Sequence, residues 1–380
     1  MGINSQLLRS QAAVSGIGVT AFGAIPGYTA QDFGTWALRN ALADAKLSLS
    51  DIDGLIVVRI PEITKFAEAS GLRPQLALQL PPAGRMAGIA IQYASMAVAT
   101  GQATRIACVY GNDGKSSGAT YGGAGATYGG GSLWAPYGMT SPGAFHAIMY
   151  SRYMAETGAT RAHLAEIAVA FRTHAQLNPA AVMRKPITPA DHDAARPIAA
   201  PLHLLDYCLI NDGGVCMIVE KSDLATERHA RTVYIRGAAQ SAHFEKSSFP
   251  PTDYWRAAMG RAGAASFAQA QLSLADMSGL MIYDNFTPSV LFQLEGFGYC
   301  KPGTAWQEIQ DGSLRLGGRW QANTSGGHLS ESYMQGWALN VEAVRQLRGD
   351  AGARQMTNPE FIHVTTASPQ CSSIIYGLDP

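Results

Sequence analysis

A polar cluster late in the chain carries side chains that could do acid–base chemistry. Residues 280–283 read as a short apolar strand that ends in Tyr283, and Asp284, Asn285 and Phe286 follow at once. The carboxyl end of a buried strand is where open α/β sheets place their ligands. Because a free phenol has a pKa of about 10, a tyrosine there is a good hydrogen-bond donor but a poor unassisted base. Asp284 is expected to cap the turn.

A cluster of positive charge lies near the middle of the chain. Arg172 and His174 belong to a segment with helical periodicity, and Arg184 and Lys185 follow it. A solvated helix face is the usual interpretation of such charges. The sharper alternative is that Arg172, Arg184 and Lys185 bind the phosphates of a nucleotide-like group.

The segment that ends in Tyr283 occurs twice in the chain. Residues 45–58 read AKLSLSDIDGLIVV and residues 270–283 read AQLSLADMSGLMIY, with identical residues at seven of fourteen positions. Each copy contains the end of a helix, a Leu-Ser-Leu link, a turn closed by glycine, and an apolar strand. Such a repeat predicts a fold that is built twice. Because the first copy ends in Val58, the polar cluster distinguishes the second.

The periodicity of apolar residues predicts the same order of elements in both halves. In the first half we expect strands at 12–21, 54–58 and 105–110 and helices at 30–46 and 88–100. In the second half we expect strands at 232–237, 280–283 and 361–366 and helices at 262–271 and 332–347. Strands that alternate with helices predict parallel pairing through right-handed crossovers.

A middle region, approximately residues 113–205, is not explained by the repeat and is expected to be a loop domain inserted in the first half. It opens with GATYGGAGATYGGG, which cannot form a regular helix or strand. This stretch is interpreted either as a flexible surface loop or as a lid or pocket wall. Residues 151–177 then have helical periodicity. The expected halves are residues 1–230, which include the insertion, and residues 231–380.

The composition excludes several classes of protein. With 28 Lys plus Arg and 28 Asp plus Glu in 380 residues, the chain has no basic field to attract nucleic acid or an anionic membrane. It has no run of about 18 apolar residues and no secretory signal, so we expect a cytoplasmic protein. The five cysteines lack metal-type spacing and are expected to be reduced thiols, so no metal site is expected.

Four stretches resemble the lipid-transfer-protein branch of the thiolase superfamily. They are GIAIQYASMAVATGQATRIACVYG; SRYMAETGATRAHLAEIAV with the following RKPIT and RPIAAPLHLLDYCLINDGG; YDNFTPSVLFQLEGFGYC; and NTSGGHLSESYMQGWALNVEAVRQLRG. The resemblance implies the thiolase fold, an α/β fold with two duplicated βαβαβ-type halves in α-β-α-β-α layers. It also implies a homodimer that forms through the first-half sheet.

The chain departs from the thiolase pattern at the residues that do the chemistry. Thiolases acylate a cysteine at the start of the buried helix of the first half; the matching position falls near Gly84, and no cysteine precedes Cys108. The histidine of the thiolase Gly-His-Pro motif corresponds to Tyr333. The histidine that leads the sterol-carrier His-Asp-Cys-Phe motif corresponds to Tyr283. Paired tyrosines at these places resemble the aldolases of bacterial steroid side-chain degradation.

That resemblance implies a carbon–carbon lyase that cleaves a β-hydroxyacyl-CoA by a retro-aldol reaction to a ketone or aldehyde and a short acyl-CoA. The acyl group would be bulky and apolar, and a steroid side chain fits that description. Tyr283 and Tyr333 would be the catalytic acid–base pair, and which one is the acid stays open. We expect Tyr333 to begin a helix, whose dipole would favour a phenolate or an enolate oxygen.

Cleavage of this kind also needs donors to the thioester oxygen. The candidates for this oxyanion site are Asn323, Gly326, Gly327 and His328. His328 could instead be a loop residue whose ring is hydrogen-bonded to the backbone. Arg172, Arg184 and Lys185 are the weaker candidates for binding CoA.

Two alternatives stay open at this point. A thiolase or acyltransferase of the same fold could take its nucleophile from Cys371 in SPQCSS, and acylation of that thiol would support it. A catalytically silent carrier of acyl-CoA or sterol would keep the pocket without the reaction. The resemblance further implies no cofactor apart from CoA as part of the substrate. It also implies a small OB-fold partner subunit with a zinc ribbon, assembled with the chain into a heterotetramer.

Overall fold

The computed structural model describes residues 8–120, 135–227, 231–242 and 250–380. Its strands are β1 (Ala12–Val19), β2 (Gly54–Val58), β3 (Leu76–Leu80), β4 (Arg105–Asn112), β5 (Pro197–Ala199), β6 (Leu202–His203), β7 (Gly213–Lys221), β8 (Val233–Ala242), β9 (Gly279–Ile282), β10 (Phe361–Thr366) and β11 (Gln370–Gly377). Its helices are α1 (Ala30–Ala45), α2 (Ile63–Ser70), α3 (Met86–Ala99), α4 (Pro142–Thr157), α5 (Ala165–Gln176), α6 (Pro189–Ala194), α7 (Ser222–Thr226), α8 (Arg256–Ala270), α9 (Thr287–Gly296), α10 (Ala305–Glu308), α11 (Gly327–Ser330) and α12 (Trp337–Arg348).

The main sheet contains the same arrangement of strands twice. Its order is β3-β2-β4-β7-β1-β8-β11-β10-β9. In the first half β2 pairs with β4, β4 with β7, and β7 with β1; in the second half β9 pairs with β10, β10 with β11, and β11 with β8. The halves join where Ala13 and Val14 of β1 pair with Tyr234 and Val233 of β8. The predicted duplicated α/β fold is confirmed.

The expectation of parallel pairing through helical crossovers is confirmed for β2 with β4 and for β9 with β10, and it is wrong for the central strands of the sheet. The pairs β2–β3, β2–β4 and β9–β10 are parallel, whereas β4–β7, β7–β1, β10–β11 and β11–β8 are antiparallel. Residues 367–369 alone separate β10 from β11, and so short a connection joins antiparallel strands because a parallel crossover needs a dozen or more residues. All four of these antiparallel pairs contain β7 or β11, two strands that the periodicity does not predict.

Helices α3 and α12 lie between the strands of the two halves. They share one buried core with Ile56 and Val215 of the first half and with Val364 and Ile374 of the second. Helix α1 covers the opposite face of the first-half strands, in a core that includes Leu55, and α8 covers the opposite face of the second-half strands. Because side chains of a strand alternate between its two faces, each half is covered on both sides. This is the expected order of α-β-α-β-α layers.

The repeated segment folds alike in both copies. Helices α1 and α8 are each followed by a residue in the left-handed conformation, Lys46 with φ 54° and Gln271 with φ 55°. A 3-10 turn comes next, in which a serine hydroxyl donates to the aspartate three residues later, at 2.6 Å in the first copy and 2.7 Å in the second. Strands β2 and β9 follow. The sequence identity between the copies therefore reflects identical local hydrogen bonding.

Most of the predicted elements are confirmed. Strands β2 and β10 have the predicted bounds, and the others differ from prediction by a few residues at their ends. The helix expected at 151–177 is two helices, because α4 ends at Gly158, whose φ is 78°. The helix expected at 332–347 starts only at Trp337. No helix in the described part of the chain is both long and apolar enough to cross a bilayer.

The insertion between β4 and β7 packs on the second half, although it interrupts the first. Tyr153 of α4 and Phe171 of α5 share a core with Phe292 of α9, and the hydroxyl of Tyr153 donates to the buried carboxylate of Glu295 at 2.5 Å. The glycine-rich stretch interpreted as a loop or a lid falls largely in residues 121–134, outside the described residues. The division into residues 1–230 and 231–380 stays a prediction.

Candidate active site

Tyr283 directly follows β9, and its backbone is fixed on both sides. Its N–H donates to the carbonyl oxygen of Thr365 at 3.1 Å, and its carbonyl oxygen accepts from Nε2 of Gln293 at 2.8 Å. Gln293 is held in turn by the Thr365 hydroxyl, which donates to its Oε1 at 2.9 Å. Only 4% of Tyr283 is exposed. The phenol therefore has a defined position at the end of a buried strand.

Tyr333 lies between α11 and α12 in a segment that is not helical. Its N–H donates to Oδ1 of Asn211 at 2.7 Å. Two residues in the left-handed conformation, Gln335 with φ 50° and Gly336 with φ 89°, precede the first residue of α12, Trp337. The prediction that Tyr333 begins a helix is therefore wrong. The helix-dipole argument for a phenolate at Tyr333 falls with it, because that field is confined to the first turn of a helix.

The structure brings the two phenols together. Oη of Tyr283 and Oη of Tyr333 are 2.8 Å apart, although 50 positions separate the two residues in the sequence. Their rings are inclined by 71°, with centroids 6.3 Å apart. One O–H of the pair makes this hydrogen bond, and either oxygen can be its donor. The other O–H is then available to a ligand.

Burial raises the pKa of both phenols well above the ordinary value of about 10, because ionisation is costly away from water. The hydrogen bond from Tyr333 lowers the pKa of Tyr283, because it favours the ionised form of the acceptor, but the effect of burial is larger. Both phenols are neutral near pH 7. A phenol of this pair can donate a proton, or accept one while it passes its own proton on, but it is not a resting phenolate base.

The imidazole of His328 packs edge to face against both tyrosine rings, with centroids 4.6 Å from Tyr283 and 5.2 Å from Tyr333. Its Nε2 accepts the N–H of Gly336 at 3.0 Å, which places the proton on Nδ1, 3.2 Å from Oδ1 of Asp284. Burial lowers the pKa of His328 to about 3, so the ring is neutral. His328 thus positions the two phenols and their loop, as in the alternative of a ring hydrogen-bonded to the backbone.

Asp284 joins the end of β9 to α11. Its carboxylate accepts the N–H groups of His328 at 2.9 Å and Leu329 at 3.2 Å. The side chain is fully buried, and burial raises its pKa to about 7. Because its oxygens bind backbone N–H groups, Asp284 is structural in the sense expected from the sequence.

The remaining candidates for the oxyanion site hold the backbone together. Asn323 is fully buried; its Oδ1 accepts the N–H of Ile282 at 2.7 Å and its Nδ2 donates to the carbonyl of Ile282 at 2.8 Å. The N–H of Gly326 donates to the carbonyl of Asn323 at 2.9 Å, and that of Gly327 faces a serine hydroxyl at 3.4 Å. The side chain of Asn323 and the N–H groups of Gly326 and Gly327 are thus used within the protein, and the oxyanion role expected for these residues and for His328 stays a prediction.

Arg172 is also used within the protein. Its Nε donates to Oγ of Ser330 at 2.8 Å and its Nη1 to the carbonyl oxygen of Lys185 at 3.0 Å. The residue is buried, which lowers the pKa of its guanidinium. Two of its guanidinium nitrogens are thus occupied within the fold, and the contact of Arg172 with CoA stays a prediction. The side chains of Arg184 and Lys185 are exposed, and their contact with CoA stays a prediction.

Three residues of the site are not identified by the sequence analysis. Asn211 holds the backbone of Tyr333, and Gln293 holds that of Tyr283. The thiol of Cys208, a partly exposed residue, lies close enough to both phenols to raise their pKa. The sequence signal for Cys208 and Asn211 is the string CLINDGG, in which polar residues directly precede β7. No spacing rule connects that string to Tyr333, because the contact is tertiary.

Cys371 has the properties of a core residue. It is fully buried in β11, and its Sγ donates to the carbonyl oxygen of Ser368 at 3.1 Å. Burial raises the pKa of the thiol to about 12. A nucleophilic cysteine needs access and a thiolate, which burial in apolar surroundings disfavours.

Glu331, two residues before Tyr333, predicts a pH dependence of stability. Burial, together with repulsion from Glu342, raises its pKa from an ordinary 4.5 to about 7. The stability that the protonated carboxyl contributes is fully present below pH 4.5 and is lost as the pH rises to about 7, which amounts to about 3 kcal/mol. Glu331→Gln should therefore raise the thermal unfolding midpoint at pH 8 and change it little at pH 4.5.

The hydrogen bonds of Glu331 suit this substitution. Its carboxylate accepts from Nδ2 of Asn178 at 3.0 Å and from Oγ of Ser325 at 2.6 Å, and a glutamine amide can replace the second bond by donating to the serine. The control is Glu62→Gln, at an exposed carboxylate paired with Lys65, which should change the midpoint little at either pH because surface ion pairs contribute little to stability. An equal shift for Glu331→Gln at both pH values would contradict the prediction.

Comparison with known proteins gives full-length relatives. The model of the thiolase C-terminal domain-like family matches residues 239–373. The chain is 37% identical to 17-hydroxy-3-oxo-4-pregnene-20-carboxyl-CoA lyase of Mycobacterium tuberculosis, across 95% of this chain and 97% of the relative. It is 36% identical to a steroid side-chain-cleaving aldolase of Thermomonospora curvata, across 98% of this chain and 99% of the relative.

Solved structures resemble the fold throughout. An Ltp2-ChsH2(DUF35) aldolase superposes with a TM-score of 0.89 and 33% identity, covering 98% of this chain and 99% of that chain. Human mitochondrial 3-ketoacyl-CoA thiolase superposes with a TM-score of 0.71 and 15% identity, covering 98% of this chain and 99% of that chain. At that level of identity the thiolase likeness concerns the fold alone.

Proposed function

The chain belongs to the thiolase superfamily, in the family of its steroid side-chain-cleaving aldolases, and we infer that it catalyses the retro-aldol cleavage of a β-hydroxyacyl-CoA. It is a carbon–carbon lyase that acts on an acyl-CoA thioester. The products are a ketone or an aldehyde and a short acyl-CoA. The observation that carries the proposed mechanism is the pair of phenol oxygens, 2.8 Å apart at the end of β9.

The reaction has a proton balance that suits two neutral phenols. The bond between the α- and β-carbons breaks, its electron pair goes to the α-carbon and the thioester as an enolate, and the β-hydroxyl becomes a carbonyl. One proton leaves the β-oxygen and one proton arrives at the α-carbon. No net proton is gained or lost, so the catalyst needs no resting base.

We propose that Tyr283 and Tyr333 transfer this proton as a relay. One phenol accepts the proton of the β-hydroxyl while its own proton passes along the 2.8 Å hydrogen bond to the other phenol, which protonates the α-carbon. The α-carbon and the β-oxygen are only two bonds apart, a span that the two phenol oxygens can bridge. A free phenolate, which burial of both phenols disfavours, is never formed.

The acyl group proposed for this chain is bulky and apolar, and a steroid side chain is the first to test because both full-length relatives are named for steroid substrates. CoA enters as part of the substrate, and no other cofactor is proposed. Arg184 and Lys185 are proposed to contact the phosphates of CoA. Both cations are exposed, and both directly follow a short segment that is hydrogen-bonded to the residues before Tyr333. In that pairing the N–H groups of Val182 and Met183 donate to the carbonyls of Glu331 and Ser330 at 3.0 and 2.9 Å.

We propose a homodimer that forms through the first-half sheet. Strand β3 ends the sheet on that side, and within the described residues it pairs with β2 alone. An edge strand with unpaired backbone groups is a ready surface for a second chain.

A small OB-fold subunit with a zinc ribbon is the second proposed partner, in a heterotetramer, because the solved aldolase carries a DUF35 component in its name. Co-purification followed by light scattering measures both assemblies.

Product analysis tests the proposed function. The chain, alone and with the candidate partner subunit, is incubated with β-hydroxyacyl-CoA esters that carry steroid, aryl or long-chain groups, and products are identified by mass spectrometry. We expect a ketone or an aldehyde and a short acyl-CoA in equal amounts. Tight binding of every ester without cleavage would instead support the carrier alternative.

The thiolase alternative predicts a different outcome for one substitution. Cys371→Ala should leave kcat for cleavage within about threefold of wild type, because the thiol is buried and its pKa is raised to about 12. Initial rates and intact-protein mass spectrometry after incubation with acetyl-CoA provide the measurement. An acyl adduct on Cys371, or loss of turnover in a folded Cys371→Ala variant, would favour the thiolase.

A further inference from the structure

Gly84 lies two residues before α3, in a turn that is fixed on both sides. The N–H of Met86 donates to the carbonyl of Ala83 at 3.1 Å, and Nε of Arg85 donates to Oε1 of Gln370 in the strand β11 at 2.7 Å. The φ of Gly84 lies outside the left-handed region, so its backbone conformation is one that any residue can adopt. The reason for a glycine at this position is therefore not conformational.

The reason is space. A Cβ placed on Gly84 would lie 1.9 Å from Oη of Tyr283, 3.0 Å from its Cζ and 3.0 Å from Oη of Tyr333. Non-bonded heavy atoms are normally separated by about 3.5 Å or more, so a side chain at residue 84 and the Tyr283 hydroxyl cannot share this volume. The contact at Tyr333 is looser, and this partly exposed residue needs to move by only a few tenths of an ångström.

Neither side of this contact can withdraw freely. The backbone of Tyr283 is held by Thr365 and Gln293, and its ring packs on His328 at a centroid distance of 4.6 Å. The turn that carries Gly84 is held by the hydrogen bonds of Met86 and Arg85. A methyl group at residue 84 would therefore turn the Tyr283 hydroxyl away from Tyr333.

We propose that Gly84 is a positioning residue of the lyase: its missing side chain provides the volume in which the two phenols hydrogen-bond. The expected effect of Gly84 on catalysis rests on the proposed function. Its expected effect on stability rests on packing alone. Residues 84 and 283 are therefore coupled. A side chain at residue 84 fits only when residue 283 has lost its hydroxyl.

A double-mutant cycle tests this coupling. Gly84→Ala should lower kcat for cleavage by about 100-fold, with KM for the CoA ester changed less than about fivefold, because the proton relay is broken while the remainder of the pocket is kept. In the Tyr283→Phe background, which already lacks the hydroxyl, Gly84→Ala should lower kcat by less than about threefold. An equal factor in both backgrounds would overturn the proposal.

Thermal unfolding of the same four proteins provides a readout that does not depend on activity. Gly84→Ala should lower the unfolding midpoint by about 5 °C in the wild-type background and clearly less in the Tyr283→Phe background, where the contact at 1.9 Å is absent. Gly260→Ala is the control: it lies within α8, where the nearest atom to a new Cβ is 3.8 Å away, so kcat should stay unchanged and the midpoint should not fall. Equal losses of stability in the two backgrounds would reject the coupling even if the wild-type chain cleaved no substrate. Coupled stability without any cleavage would leave Gly84 as a packing partner of Tyr283 and reject its catalytic consequence together with the proposed function.

Discussion

Tyr283→Phe and Tyr333→Phe should each lower kcat for cleavage of a β-hydroxyacyl-CoA by about 100- to 10,000-fold, the range expected for loss of general acid–base catalysis. Each substitution removes one oxygen of the 2.8 Å pair, so the proton can no longer travel from the β-hydroxyl to the α-carbon. The rings and their contacts with His328 are retained. Folding should therefore be intact, and the measurement is the initial rate of product formation beside the thermal unfolding midpoint.

The control for these variants is Tyr150→Phe. That phenol is buried in the insertion, where its hydroxyl donates to the carbonyl oxygen of Thr160 at 2.8 Å. Its loss should reduce stability by about 1 kcal/mol, the contribution of one hydrogen bond, without changing kcat. Normal turnover in either the Tyr283→Phe or the Tyr333→Phe variant would reject the proposed pair, whatever the control shows.

Exchange of the α-protons of the short acyl-CoA product in deuterated water should require the carbonyl co-product. In the reverse direction, an α-proton enters the phenol pair only as another proton leaves it for the carbonyl oxygen. Without that acceptor the pair stays neutral and has no phenolate to remove the α-proton, because burial raises the pKa of both phenols well above the ordinary value. We expect incorporation of deuterium to be at least about 100-fold faster when the ketone or aldehyde is present, as measured by mass spectrometry.

This experiment separates the relay from other acid–base mechanisms. Equal exchange with and without the carbonyl compound would mean that a resting base removes the α-proton, and the relay would be rejected while the lyase activity remained. The Tyr283→Phe and Tyr333→Phe variants are the matched controls, because both should lose the exchange that depends on the carbonyl compound.

The residues predicted to form the oxyanion site show what a motif omits. His328 packs against both phenol rings, whereas the side chain of Asn323 and the N–H groups of Gly326 and Gly327 are hydrogen-bonded within the fold. A sequence shows which donors are present, but it does not show which of them are already satisfied. Arg172 is a similar case, since its guanidinium binds Ser330 and the backbone of Lys185.

The sequence by itself determined the local structure and the chemistry of the chain. The repeat of residues 45–58 at 270–283 specified matching helix ends, turns and strands, because hydrogen bonds between near neighbours and apolar periodicity are encoded within a few residues. The same segment placed Tyr283 at the end of a buried strand. Resemblance to a known family then identified Tyr333 as the second phenol and the missing cysteine near Gly84.

Only the tertiary structure decided how these residues meet. The contact of Tyr333 with Tyr283 spans 50 positions, and the hydrogen bond that holds the backbone of Tyr333 comes from Asn211, 122 positions away. The direction of β7 in the sheet and the packing of the insertion on the second half are likewise set by distant partners. Such contacts depend on which surfaces are buried together in the folded chain, and no local pattern of residues records that choice.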